Sequence, residues 1–393
     1  MKRFLKASTF LCVIVAMFAA LLLKAGVAGA AGAPPFKRLN AVAAVSARNI
    51  WAVGDSFSGG VDQPLIEHWN GAQWSIVPAP GPNPGATTDT LESVTEVSAR
   101  DVWAVGFFAT SSGNELPLIE HWNGKQWSIV ASARPPVGFP GGNLLGIEEV
   151  SAHNIWAVGT SFNSALGTSQ TLIEHWNGKQ WSIVPSPNPA GATSSSLGGV
   201  TEVSAHNIWA VGDSFSRATG IEQPLIEHWN GKHWSLVASP NTGSNTVSLT
   251  GVAEVSARNI WAVGPGSSFA EHWNGKHWHL VATPNPTGSV SSTLFGIGEV
   301  SAHDIWSVGY YIVSAGGRGI DHTLIEHWNG TMWSIIPSPN SGPTDNDFLF
   351  GVVAISAHDV WAVGTIITNG SNAGQPLIEH WDGVQWSIVP GAS

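Results

Sequence analysis

Between Leu197 and Ala238 the apolar positions come in four short runs, each closed by a polar turn. "LGGVTEVSA" and "NIWAVG" meet at Ser-Ala-His-Asn, and "PLIEHW" and "HWSLVA" flank Asn230-Gly231. Short runs rich in Val, Ile and Trp and bounded by turn residues predict strands, and Asn-Gly suits a hairpin that needs positive φ. No segment after residue 30 sustains an i, i+3, i+4 apolar pattern, so almost no helix is expected.

The unit recurs seven times. Each copy carries a motif of the form V-S-A-[RH]-[ND]-[IV]-W-[AS]-V-G, with Trp51, Trp103, Trp156, Trp209, Trp261, Trp306 and Trp361 spaced by 52, 53, 53, 52, 45 and 55 residues. Two further tryptophans follow, five residues apart, as in Trp176/Trp181, so three in each of seven copies account for all 21. The expected fold is all-β: a seven-bladed β-propeller of four antiparallel strands per blade, spanning 39–393 and following a signal peptide (1–30) and a short segment (31–38). Each blade is contiguous in sequence, so closure is expected to rest on side-chain packing. A two-residue Asn177-Gly178 hairpin would pair Trp176 with Lys179 and Glu174 with Trp181, placing both rings on one blade face.

Here the residues resemble known repeats. E-H-W-N-G-K-Q-W overlays the Asp-box of sialidase-type propellers, S-x-D-x-G-x-T-W, at Gly178 and Trp181, and "GVTEVSAHNIWAVG" is similar to the first two strands of photosystem-assembly-type BNR-like propellers. Trp176 replaces the Asp-box aspartate and Gln180 its threonine, so the resemblance implies the fold and no site residues. A sialidase-type enzyme would need an arginine triad, a tyrosine nucleophile and acids at the central mouth. Arg48, Arg100 and Arg258 fall instead in the short first turn of their repeats, where His153, His206, His303 and His358 complete a basic ring.

The first thirty residues have a basic start, an apolar run from Ala7 to Leu23 and small residues at Ala28-Gly-Ala30. That is the layout of a cleaved secretory signal, with an uncleaved anchor as the alternative. Cleavage would remove the single cysteine, Cys12, and leave 12 basic against 27 acidic side chains, a net charge of about −15. Thiolate chemistry and disulfides are then excluded, and nucleic acid is an unsuitable partner. A secreted or cell-surface monomer is expected, without stable membrane insertion after cleavage and without a cofactor.

Glu and His of "IEHW" are adjacent on a strand and point to opposite faces, so they read as structural groups that bond to a neighbour's backbone or indole N–H. Function belongs where the copies differ: the connections between strands two and three, and between one repeat and the next, which emerge on one rim. Repeat five is the outlier, with 12 residues between Trp261 and Trp273 against 18 to 22 elsewhere, which predicts a notch. Its flanks carry the candidate ligand-binding residues Arg217, Tyr310, Tyr311, Arg318, Asp321 and His322. "EHWNGKHWHLV" in the same repeat makes His272, His277 and His279 a candidate metal set, and Asp345-Asn-Asp347 a weaker calcium loop. Asn329-Gly-Thr331 and Asn369-Gly-Ser371 fit the glycosylation sequon. The leading expectation is a non-catalytic binder of an extracellular glycan or protein; the alternatives are a glycosidase or lyase, and an envelope scaffold.

Overall fold

The computed structural model describes residues 36–81, 88–110, 113–240, 244, 247–265, 269–315, 317–370 and 373–392. The expected signal peptide and its cleavage site lie outside these residues. Among the described residues there are twenty-eight strands, four to a repeat, and no helix long and apolar enough to cross a membrane.

Repeat one shows the plan. Strands β1 (Phe36–Ser46), β2 (Asn49–Ser58), β3 (Val61–Trp69) and β4 (Trp74–Ile76) form an antiparallel meander. β1 takes in residues 36–38, expected to lie outside the ring. Five repeats, two to six, stand as separate four-stranded sheets. The prediction of seven separate blades is corrected at the ends of the chain: repeats one and seven share one eight-stranded sheet, joined by the parallel pair Phe36 and Gly374 between β1 and β27 (Gly374–Trp381). A Cβ on Gly374 would lie 2.2 Å from the Phe36 ring, so only glycine permits this approach. Closure is therefore more than side-chain packing. Thr365 Oγ1 donates to Lys37 O at 3.2 Å and Ala392 N to Glu67 Oε2 at 3.0 Å.

The tryptophans explain how the repeats adhere. Trp51 lies 5.0 Å from Trp122 and 5.4 Å from Trp127 of repeat two. Trp361 of repeat seven lies 5.0 Å from Trp69 and 5.7 Å from Trp74 of repeat one, and the same triad fills every other junction. Each buried indole contributes on the order of 2–3 kcal/mol by area transfer. The ring encloses a central channel of about 240 Å³ lined by the first strand of all seven repeats, from Asn40 through Glu92, Glu148, Gly199, Thr250 and Phe295 to Phe350.

The predicted hairpin register is wrong by two residues. Trp176 faces Trp181, not Lys179, and Glu174 faces Ile183, because the loop is four residues long. Asn177 Oδ1 accepts from the backbone N–H groups of Lys179 (3.0 Å) and Gln180 (3.1 Å), so the side chain closes a wider turn than the backbone alone would. Asp382 in repeat seven does the same.

Candidate functional site

The repeated Glu-His pair is absorbed by the fold. His175 Nε2 donates to Asn154 Oδ1 at 2.7 Å and the ring lies 4.3 Å from Trp156, whose indole N–H donates to the same oxygen at 2.9 Å. An amide oxygen only accepts, which fixes the Nε2–H form. The matching histidine in each of the other six repeats meets the Asn or Asp at the start of its own strand two. The expected partner, a neighbour's backbone, is thus replaced by a side chain of the same repeat. Glutamate behaves as expected where a partner exists: Glu174 accepts from Ser132 Oγ (2.7 Å) and Ala133 N (2.9 Å) of the preceding repeat. All seven glutamates are buried, and burial raises Glu120, Glu227 and Glu326 to about 8.

The basic turn residues are also structural. A Cβ on Gly231 would meet His206 Cδ2 at 2.6 Å, and the glycine has φ +88°, so the first and third turns of a repeat interlock on one rim. Trp176 Nε1 donates to Ala152 O (3.3 Å) across the same pair of turns.

A ring of carboxyls that the sequence pattern did not single out lies at this rim. Glu96, Glu149, Glu202, Glu254 and Glu299 occupy one register position near the end of the first strand in repeats two to six, where repeats one and seven have Ala44 and Ala354. Burial raises Glu96 to about 7 and Glu149 and Glu299 to about 8; Glu96 adds to the effect on Glu149, and Glu254 to that on Glu299. Glu149 accepts from Thr95 of the preceding repeat. The signal was the recurring acid in "TEVSA".

The opposite rim carries the longer connections, and the notch is evident there in strand lengths. In repeat five β18 (Asn259–Val263) and β19 (Phe269–Trp273) have five residues each. In repeat four β14 (Asn207–Ser216) has 10 and β15 (Ile221–Trp229) 9, while in repeat six β22 (Asp304–Ala315) has 12 and β23 (Arg318–Trp328) 11. What was expected to be a loop around the tyrosines is therefore strand, paired as far as Ala315 and Arg318.

That disperses the predicted ligand residues. Tyr311 and its cross-strand partner His322 share the face toward repeat five, their rings 5.5 Å apart, with Tyr311 packed on the cluster that holds Trp261. Tyr310 points the other way, 4.9 Å from Phe348 of repeat seven. Arg318 donates to Asn369 and Asp321 N to Asn346 Oδ1 (3.1 Å), both in repeat seven. Arg217 turns back to repeat three, donating from Nη2 to Gly167 O at 2.9 Å. Only Tyr311 and His322 border the notch.

Two acids missed in the sequence border it from the other side. Trp209 contacts Trp273 and Trp278 of repeat five, so Asp213, four residues along β14, faces the same way, as does Glu222, which pairs with Phe215. Burial raises Glu222 to about 7, and raises Asp213, with Glu222 adding to it. One carboxylate oxygen of each, Asp213 Oδ2 and Glu222 Oε1, is buried without a hydrogen-bond partner. The signal was "NIWAVGDSFS", written identically at 49–58 and 207–216 with different partners around it.

The histidine set does not assemble. His272 pairs with His279, not His277, their nitrogens 3.3 Å apart, while His277 meets Asn274 and its ring lies 6.2 Å from that of His279. Burial, then His279, lowers His272 to about 4. No group of three or more His, Cys, Asp or Glu among the described residues is placed to hold a metal ion. In the weaker calcium loop, Asp347 accepts from Ser341 N and Oγ, and Asp345 from Asn369 N. The Asn329 side chain closes its own turn, and Ser371 of the second sequon lies outside the described residues.

No family model and no curated protein matches the chain, so the Asp-box likeness at Gly178 and Trp181 has no family-level counterpart. Solved structures do match. YCF48 bound to D1 peptide is 13% identical, covering 84% of this chain and 92% of that one with a TM-score of 0.50; YCF48 from Cyanidioschyzon merolae gives 12%, 85%, 94% and 0.50. An ulvan lyase of polysaccharide lyase family PL25 is 12% identical, covering 91% and 96%, with a TM-score of 0.55. The fold is a β-propeller. Identities this low show that fold and its four-stranded blades alone.

Proposed function

We propose that this propeller is a non-catalytic recognition module, secreted or held at the cell surface, that binds a protein or glycan on its long-loop rim at the notch over repeat five. The eight-stranded sheet acts in this reading as two blades joined at one residue pair, which makes a ring of seven. One observation carries the proposal. The histidine that recurs in every repeat is engaged by the Asn or Asp of its own repeat, whereas Asp213, Glu222, Tyr311 and His322, which do not recur in every repeat, stand on the two flanks of a shortened blade. Variation on a rigid scaffold is where recognition concentrates. Propellers of similar fold hold such ligands in other proteins: YCF48 has been solved with D1 peptide bound, and a PL25 ulvan lyase with a sugar chain bound.

The test is binding of the full chain to peptide and glycan arrays, repeated after the longer hairpin of repeat four, residues 212–226, replaces residues 264–270 of repeat five and so fills the notch. Binding that falls with the exchange supports the reading. Binding that survives it, or that maps to the short-turn rim, contradicts it. A lyase or glycosidase reading is favoured by the same two carboxyls of raised proton affinity on one flank. Turnover of a polymeric sugar that disappears in Glu222→Gln would establish it.

A further inference from the structure

Repeat one contains a worked example of what repeat four lacks. In repeat one, Arg38 faces Asp55 across β1 and β2, and its Nε donates to Asp55 Oδ1 at 2.5 Å in a buried ion pair. Asp62 and Glu92 lie close enough to act on the same guanidinium. Repeat four repeats the cup letter for letter on β14 and keeps an acid at the Asp62 position, Glu222, which pairs with Phe215 as Asp62 pairs with Phe57. At the Arg38 position it has Ser196, the cross-strand partner of Asp213. The Ser196 hydroxyl is already engaged, accepting from Thr160 Oγ1 of repeat three at 2.6 Å.

Two acids are thus held in a geometry that elsewhere in this molecule receives a guanidinium, and here none of the described residues supplies one. Glu222 is 4% exposed, yet its Oε1 has no donor, nor has Asp213 Oδ2. Unpaired buried carboxylate oxygens are costly, and a planar cation with several N–H donors is the group that satisfies two of them at once. Asp213 is less deeply buried than Glu222, and it lies beyond the level at which the middle strands of repeat five end, at Val263.

We infer that Asp213 and Glu222 form a binding site for a guanidinium group, the arginine side chain of a partner peptide, seated where Arg38 sits in repeat one. This rests on the reading of the notch as the recognition site and names the chemistry it selects.

The experiment is calorimetric titration of the full chain at pH 8 with the peptide acetyl-Gly-Arg-Gly-amide, and with its Gln analogue as control. Saturable heat with the Arg peptide alone is expected, with affinity lowered at least ~30-fold in Asp213→Asn and in Glu222→Gln, the loss typical of truncating one partner of a buried charge pair. Both variants remove buried negative charge, so folded protein is expected, and circular dichroism checks it. Ser196→Arg should rebuild the ion pair of repeat one, raising the melting temperature and abolishing peptide binding. The inference is overturned by absence of heat up to about 10 mM peptide, by equal binding to the Gln analogue, or by variants that bind as the parent does. A peptide or glycan that binds the long-loop rim with no response to Asp213→Asn or Glu222→Gln would overturn the guanidinium site while leaving the recognition rim standing.

Discussion

Trp361→Ala probes ring closure directly, because Trp361 sits at the junction of the last repeat with the first. The indole is 3% exposed, lies 5.0 Å from Trp69 and 5.7 Å from Trp74, and covers His380 at 4.2 Å. Truncating a buried tryptophan costs about 3–5 kcal/mol, and loss of the oriented aromatic contacts adds ~0.5–1.5 kcal/mol. The lost hydrogen bond to Asp359 Oδ1 leaves no orphan, since His380 Nε2 still donates to that oxygen at 2.9 Å. A total near 4–6 kcal/mol is expected, a large part of the ~5–15 kcal/mol that holds an ordinary domain. Trp209→Ala is the internal control. It sits at the junction of repeats four and five in the same surroundings, 4.9 Å from Trp273, 5.6 Å from Trp278 and 4.3 Å from His228. Guanidinium unfolding followed by circular dichroism should give both variants the same loss within ~1 kcal/mol. In an open stack Trp361 would have no partner from repeat one, so a cost below ~1 kcal/mol for Trp361→Ala beside a full cost for Trp209→Ala would refute closure.

Other consequences follow from the same geometry. Gly231→Ala should destabilise by about 1–3 kcal/mol, because positive φ and the contact with His206 are both violated, and thermal melting reads it. Arg38→Met should cost about 3–5 kcal/mol at pH 8 by leaving Asp55 without its cation, and Asp55→Leu in the same chain should restore most of it. Stability should fall as pH rises from about 6.5 to 8. Burial raises the folded pKa of Glu120, Glu227, Glu299 and Glu326 to about 8, so the native chain keeps protons that the unfolded chain has released, at ~1.4 kcal/mol per pH unit for each group that does so. A flat melting profile would show the glutamates to be ionised in the fold. Deleting residues from Phe350 onward removes repeat seven and should abolish cooperative melting; a soluble, cooperatively folded truncation would contradict the packing at both of its faces.

Much of the molecule was legible because the repeat multiplies each signal. Strand number, the turn positions and the role of the tryptophans follow from period-two patterning repeated about every fifty residues. What failed were readings that need a register. Asn177-Gly178 resembles a two-residue hairpin, but Asn177 Oδ1 takes two backbone N–H groups and opens the loop to four, which moves every cross-strand partner, including that of His272. Tyr310 and Tyr311 looked like one aromatic loop, yet strand pairing continues through them, and adjacent strand residues face opposite ways. The acids facing the notch were overlooked because their distinction lies at a position far from them in sequence, Ser196 against Arg38, which matters only once β13 (Ser194–Ser204) is laid beside β14. The joint of repeats one and seven through Phe36 and Gly374 has no sequence pattern of its own.

Recognition at one notch on one rim is the proposal that hydrogen–deuterium exchange of the full chain with a bound peptide or glycan tests most directly. Protection is predicted in segments 209–227 and 306–326, which flank repeat five, with the short turns at 205–206 and 230–233 unchanged. Protection confined to those short turns, or spread evenly over all seven repeats, would contradict it.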